Sequence, residues 1–168
     1  SSRVASNVAS AEETGQVILY SIGNAIRRAG YAEIAGATLP PSRQDLLYSG
    51  PHLQACVESA FDLDVSGEPI LEADGNFRCS GTATPGADSL MVLFQANNVL
   101  ASASAQDATA DCLGQAAATV NASPYYQGRV PGGVIPLVRN IYSLNAATGN
   151  LSCRGNGNPG TPQTLIGQ

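Results

Sequence analysis

The chain contains no lysine and no tryptophan, and one histidine among 168 residues. All eight basic residues are arginine; against thirteen acidic residues they leave a formal net charge of −5. A phosphate-tracking protein needs a basic surface, because neutralising phosphates supplies most of its affinity. Nucleic acid is therefore not expected as the main partner. The single imidazole, His52, gives little toward a zinc site and no ready base for a nucleophilic serine. No G-x-S-x-G element surrounds any serine, and no glycine-rich phosphate loop occurs. Aromatic residues make up only 5% of the chain, which argues against a sugar-stacking site. With no catalytic constellation in view, an enzyme is not expected. No run approaches the roughly 18–20 apolar residues that cross a bilayer. Nothing has the charged, apolar and small-residue succession of a secretory signal.

What the chain does have begins with four cysteines, Cys56, Cys79, Cys112 and Cys153. None sits in a C-x-x-C pair. An even count in a chain rich in Gly, Ser, Asn and Pro favours two disulfides and an oxidising compartment. Three pairings are open. Cys56–Cys79 with Cys112–Cys153 is preferred, because each closes a local loop. The competing reading is four reduced, buried thiols.

Along the chain, residues 1–168 read as a single domain. Residues 1–30 carry apolar residues at a spacing of three or four: Val4, Val8, Ala11, Gly15, Ile18, Ile22, Ile26 and Ala29. That spacing predicts one face of an amphipathic helix, with Leu19 and Ala25 widening the stripe. Arg27 and Arg28 suit the negative end of the helix dipole, and Gly30 follows as a C-cap. The stripe runs back almost to Ser1 with no clear start. Residues 31–68 read as an irregular, Pro- and Gly-bearing loop with one short helix or turn near Gln44–Tyr48. Residues 69–168 read as antiparallel strands and loops. Asp74-Gly75 joins Pro69–Ala73 to Asn76–Ser80 as a hairpin. Ser89–Ala96 is the clearest strand. Residues 97–118 carry a helical turn, and 119–133 a strand and then a loop. Val134–Leu144 and Asn150–Arg154 form a second hairpin, and Gln163–Ile166 a last strand. The expected class is α+β, a long N-terminal amphipathic helix packed on a loop-rich antiparallel sheet.

One motif suggests a metal. Asp62, Asp64, Ser66 and Gly67, with Glu68 next, follow the first half of a calcium loop, D-x-D-x-S-G. The bidentate glutamate of such a loop belongs at the twelfth position, which is Ala73, between Glu72 and Asp74. The register departs from an EF-hand, and the competing reading is a polar turn ahead of the hairpin. Calcium is the only cofactor the sequence raises.

Four segments together resemble a known family. SAEETGQVILYSIGNAIRRAGY resembles the helix of minor type IV pilins of the PilW kind, with its Glu-x-Gly-type step and Arg-x-Ala-Gly-Tyr-like end. GADSLMVLFQA is similar to that family's Gly-x-Asp-x-Leu-x-Val strand, and ADCLGQ to its Asp-Cys-x-Gly element. The stretch IYSLNAATGNLSCRGNGNPGTPQTLIGQ is similar to its closing strands and Gln-x-Leu ending. The resemblance implies a pilin-like fold and a structural role in priming or capping type IV pilus assembly. It implies other minor and major pilins as partners. It also implies an apolar first half of the helix, lying before Ser1, that anchors the subunit in the inner membrane. Such a head folds in the periplasm and ends in an extracellular pilus. Val8, Ala11, Gly15, Ile18, Ile22 and Ile26 are then expected to pack against sheet and neighbours. The alternatives are a minor pseudopilin of type II secretion, of the J kind, and a secreted, disulfide-bonded binding module, with or without calcium.

Overall fold

A computed structural model describes residues 2–31, 34–35, 45–46, 51–82, 84–96, 110–116, 119–121, 134–157 and 161–166. Side chains are described for these from Glu12 onward, except at 34–35, 45–46 and 119–121 and at the start of the strand beginning at Val134. The elements run α1 (Ser2–Arg28), β1 (Ile34–Ala35), β2 (Asp45–Leu46), β3 (Leu53–Cys56), β4 (Ser89–Gln95), β5 (Thr119–Asn121), β6 (Val134–Asn145), β7 (Asn150–Gly155) and β8 (Gln163–Ile166). β1 and β2 pair only with each other, antiparallel. The other six strands make one antiparallel sheet in the order β3-β4-β6-β7-β8, with β5 also paired to β6.

The centre of that sheet follows directly from sequence. β4, SLMVLFQ, is apolar at five consecutive positions, a pattern that suits a strand covered on both faces. It pairs with β6 from Ser89↔Ser143 to Gln95↔Leu137. Alternate residues then feed two separate cores. Met91 and Leu93, with Leu137 and Ile141, join Cys56, Phe61 and Phe77 on one face. Val92 and Phe94, with Val138, Tyr142 and Cys153, join Ala25 on the other. The β6–β7 hairpin closes through Asn145, whose side-chain Oδ1 accepts from Ala147 N at 3.0 Å, and Gly149 takes the positive φ (68°) that the turn needs.

The first core lies under residues 57–80, which wind across the sheet through single β-bridges rather than strands. Phe61 faces Cys79, Leu63 faces Pro69 and Leu71 faces Phe77. The Asp74-Gly75 turn is present, with Gly75 at φ 86° and Glu72 N donating to Asn76 O at 2.8 Å. The Cys56–Cys79 disulfide ties this layer to the end of β3. Both expected disulfides are formed, the second being Cys112–Cys153.

The expected class is overturned. The molecule is mostly antiparallel sheet, not a long helix packed on a sheet. The helical part whose side chains are described, 12–28, is short, and only its last turns meet the sheet. There Ile22, Ala25 and Ala29 join the second core, and Ala25 alone is buried. The reason is geometric. The chain leaves the helix at Gly30 (φ 79°), whose N–H donates to Leu93 O at 3.1 Å, and Gln95 N donates to Tyr31 O at 2.8 Å. The helix end is thus pinned beside the far end of β4. The face that meets the sheet is centred between Ile22 and Ala25. Ile26, about 40° to the other side of Ile22 at 3.6 residues per turn, turns outward and is 40% exposed.

Two local expectations are also corrected. Residues 31–68 are not all loop: β3 is a strand of the main sheet, paired from Leu53↔Val92 to Cys56↔Ser89. Its four residues, LQAC, are too short a pattern to separate from a loop between Pro51 and the Cys56 turn. Near Gln44–Tyr48, Asp45–Leu46 pairs as a strand instead of turning as a helix. The helical turn expected within 97–118 lies mainly outside the described residues.

Candidate functional site

A groove of about 330 Å³ lies between the last turns of α1 and the stretch 110–116. Val17, Tyr20, Ser21, Asn24 and Arg28 form the helix wall, and Phe94 and Tyr142 rise from the sheet floor. The opposite wall is Ala110, Asp111, Cys112 and Gly114.

That wall is built around one carboxylate. Asp111 is buried, and its Oδ1 accepts from Leu113 N (2.9 Å) and Gln115 N (3.0 Å), an Asx-type turn completed by Gly114 at φ 73°. Its Oδ2 accepts from Gly157 N at 2.9 Å. A Cβ at Gly155 would fall on this carboxylate, and one at Gly157 would meet Gln115 and Asp111. Glycine at both positions lets the end of β7 approach Asp111 this closely. Cys112 N donates to Asn140 Oδ1 at 2.8 Å, and the Cys112–Cys153 disulfide crosses from the wall to β7. The groove is therefore rigid on its loop side. On its floor, burial pushes the Tyr142 hydroxyl up to about 12; a hydrogen bond with Asn140 opposes the rise and the Asp111 charge adds to it. The Arg28 guanidinium stands over the Phe94 ring, 6.0 Å from its centroid.

The residues expected to hold calcium do other work. Asp64 Oδ1 accepts from Ser66 N (2.8 Å), Ser66 Oγ (2.6 Å) and Glu68 N (3.0 Å), and these bonds hold its carboxyl below the usual range. Asp62 points to Arg78 across 3.9 Å. Glu68 grips Arg139 of β6 with both oxygens, through Nη1 and through Nη2 at 3.1 Å. Among the described residues no three His, Cys, Asp or Glu side chains group as metal ligands would. The D-x-D-x-S-G spacing here makes a tight turn, with Gly67 at φ 84°.

The six helix residues separate. Val8 and Ala11 lie outside the residues whose side chains are described. A Cβ at Gly15 would meet nothing, Ile18 is half-buried, Ile22 packs on the second core, and Ile26 is exposed. Sequence reasoning missed Arg139, which is fully buried, and Asp111; the signal for the latter was an Asp followed by a Gly three residues later, with two further glycines beyond Cys153. His52 packs its ring against Gly30, 3.1 Å from where a Cβ would stand. Arrangements of this kind can hold a partner's side chain.

No protein-family model matches the chain, and no curated protein and no solved structure matches it either. Among the described residues no helix is long and apolar enough to cross a membrane.

Proposed function

We propose that this chain is a structural subunit that acts by contact rather than turnover, a minor pilin that takes part in priming or capping a type IV pilus. The observation that carries the reading is the exposed apolar surface of α1. Val17 is 63% exposed and Leu19 and Tyr20 are each 69% exposed, on a helix whose described core contacts, Ile22, Ala25 and Ala29, lie in its last turns. Large apolar residues clustered on one element mark an interaction surface more often than chance exposure does. A helix held at one end and apolar beyond it is a shape that neighbouring helices can cover. The four-segment sequence resemblance supplies the particular system, and the two disulfides agree with folding in the periplasm. Its partners would be other minor and major pilins, reached after anchoring in the inner membrane through a preceding helical segment.

The test separates folding from assembly. The soluble chain with Leu19→Glu and Tyr20→Ser should melt within about 2 °C of the unaltered chain, since neither residue belongs to a core. The same changes introduced in the cell of origin should sharply reduce the surface fibres released by shearing. Unchanged fibre yield from a normally folded variant would refute the reading.

A further inference from the structure

We propose that one copy of this chain binds a second copy head to tail, with the Val65 turn of one seated in the groove between α1 and 110–116 of the next. The contact rests on the assembly reading only in supplying one interface for it.

Val65 is 110% exposed, an apolar side chain at the tip of a turn with nothing over it. The turn is rigid: Asp64 ties both Ser66 and Glu68, Gly67 N donates to Asp64 O at 3.0 Å, and Glu68 is anchored to the buried Arg139. A knob already held in one conformation loses little freedom on docking. The groove offers Val17, Tyr20 and Phe94 as an apolar lining for one such side chain, with its loop wall fixed by a disulfide.

Charge selects the pairing. Residues 58–88 hold seven of the thirteen acidic residues and one arginine. Glu58, Asp64, Glu72, Asp74 and Asp88 are exposed there. Arg28 lines the groove and the exposed Arg27 precedes it in the last turn of α1, which contains no acid. The one carboxylate lining the groove, Asp111, is buried and accepts three backbone N–H groups, whereas Arg27 is exposed and Arg28 half-buried. Complementary potentials of this kind steer encounter and fix register.

Topology sets the outcome. Leu63, two residues before Val65, packs on the core face shared by Met91 and Leu93. The groove opens on the opposite face, beside Phe94 and Tyr142. Knob and groove therefore lie on opposite sides of one sheet. A contact between different surfaces does not use itself up in a pair, and it extends into an open chain or a ring.

The purified chain carrying both Ser21→Cys and Val65→Cys should give a ladder of dimer, trimer and higher species with a short bismaleimide cross-linker. Each single variant should give no ladder, because a ladder needs one thiol on each surface. Raising salt from about 0.05 M to about 0.5 M should lower the ladder at least about threefold, since the screening length shortens well below the spacing of surface charges. Circular dichroism checks that all three variants fold. A folded double variant that yields only monomer and dimer overturns the contact, and so does a ladder equal in the single variants or indifferent to salt. Because this is read on the purified chain, it can fail while the fibre-yield test succeeds, and the reverse.

Discussion

Glu68→Gln and Arg139→Met remove opposite halves of one ion pair and should have unequal effects. The Arg139 side chain is 1% exposed, whereas that of Glu68 is 35% exposed. Among the described residues Arg139 Nε has no partner, so the carboxylate of Glu68 is the main answer to the buried charge. Losing it leaves a guanidinium uncompensated between Leu137 and Ile141, a situation that costs about 3–5 kcal/mol in buried pairs. Glu68 reaches solvent at its edge, so water can enter when it is shortened of charge, and the lower end, about 3 kcal/mol, is expected. Arg139→Met instead takes the charge out, fills the space with a straight apolar chain, and leaves Glu68 able to hydrate. It should cost no more than about 1–1.5 kcal/mol. It also relieves Arg154, whose pKa is lowered by burial and then by the Arg139 charge. The double variant should resemble Arg139→Met alone, giving a coupling of about 3 kcal/mol. The assay is urea unfolding followed by circular dichroism with both disulfides intact, taking midpoint and slope together. For a chain of 168 residues, 3 kcal/mol corresponds to a melting shift of about 6–12 °C. A Glu68→Gln cost below about 1 kcal/mol, or one equal to that of Arg139→Met, would refute the reasoning.

Four further outcomes follow from the same geometry. Replacing Cys112 and Cys153 together with serine opens a cross-link of sequence separation 41, worth about 4 kcal/mol in the chain-entropy model, against about 3.4 kcal/mol for Cys56–Cys79 at separation 23; equal or reversed midpoints in urea would contradict this order. Ile22→Asp places an uncompensated charge against the second core and should lower stability by more than about 2 kcal/mol, while Ile26→Asp, already at the surface, should change it by less than about 1 kcal/mol; thermal melts of the two decide it. The Tyr142 hydroxyl, raised from 10.0 to about 12, favours its neutral form when folded, so its contribution is whole below pH 10 and is lost as pH rises toward 12. Wild type should therefore lose about 2–3 kcal/mol more than Tyr142→Phe between those limits, and parallel alkaline melts would contradict this. Adding calcium should give no heat of binding and no rise in melting temperature, because Asp62, Asp64 and Glu68 are already engaged with separate partners.

Sequence legibility followed how local each signal was. β4, the β6–β7 hairpin and β8 announced themselves through short apolar runs and turn residues, and Gly30 marked the helix end. Both disulfides were legible because each joins cysteines that are neighbours in order. What failed depended on contacts distant in sequence. The helix stripe did show an apolar face, but a periodic pattern does not say how much of that face the sheet will cover, and here only the region of Ile22, Ala25 and Ala29 is met. The layer 57–80 pairs through isolated bridges, which leave no alternating run for a strand pattern to find. Arg139 lies in an apolar strand and would ordinarily be placed at the surface; only the bidentate Glu68, contributed from 71 residues away, permits its burial. The D-x-D-x-S-G spacing fits a metal loop and a tight turn equally well until the partners of each oxygen are known.

Whether α1 is the lower part of an assembly helix is decided by the coding sequence immediately upstream of Ser1. For an assembly subunit it should encode a short basic leader, a glycine before an aromatic residue or methionine, a glutamate soon after, and about 20 apolar residues running in frame into Val4. A cleavable secretory signal ending next to Ser1, with no continuous apolar helix, would contradict it and leave a secreted, disulfide-bonded binding module as the reading.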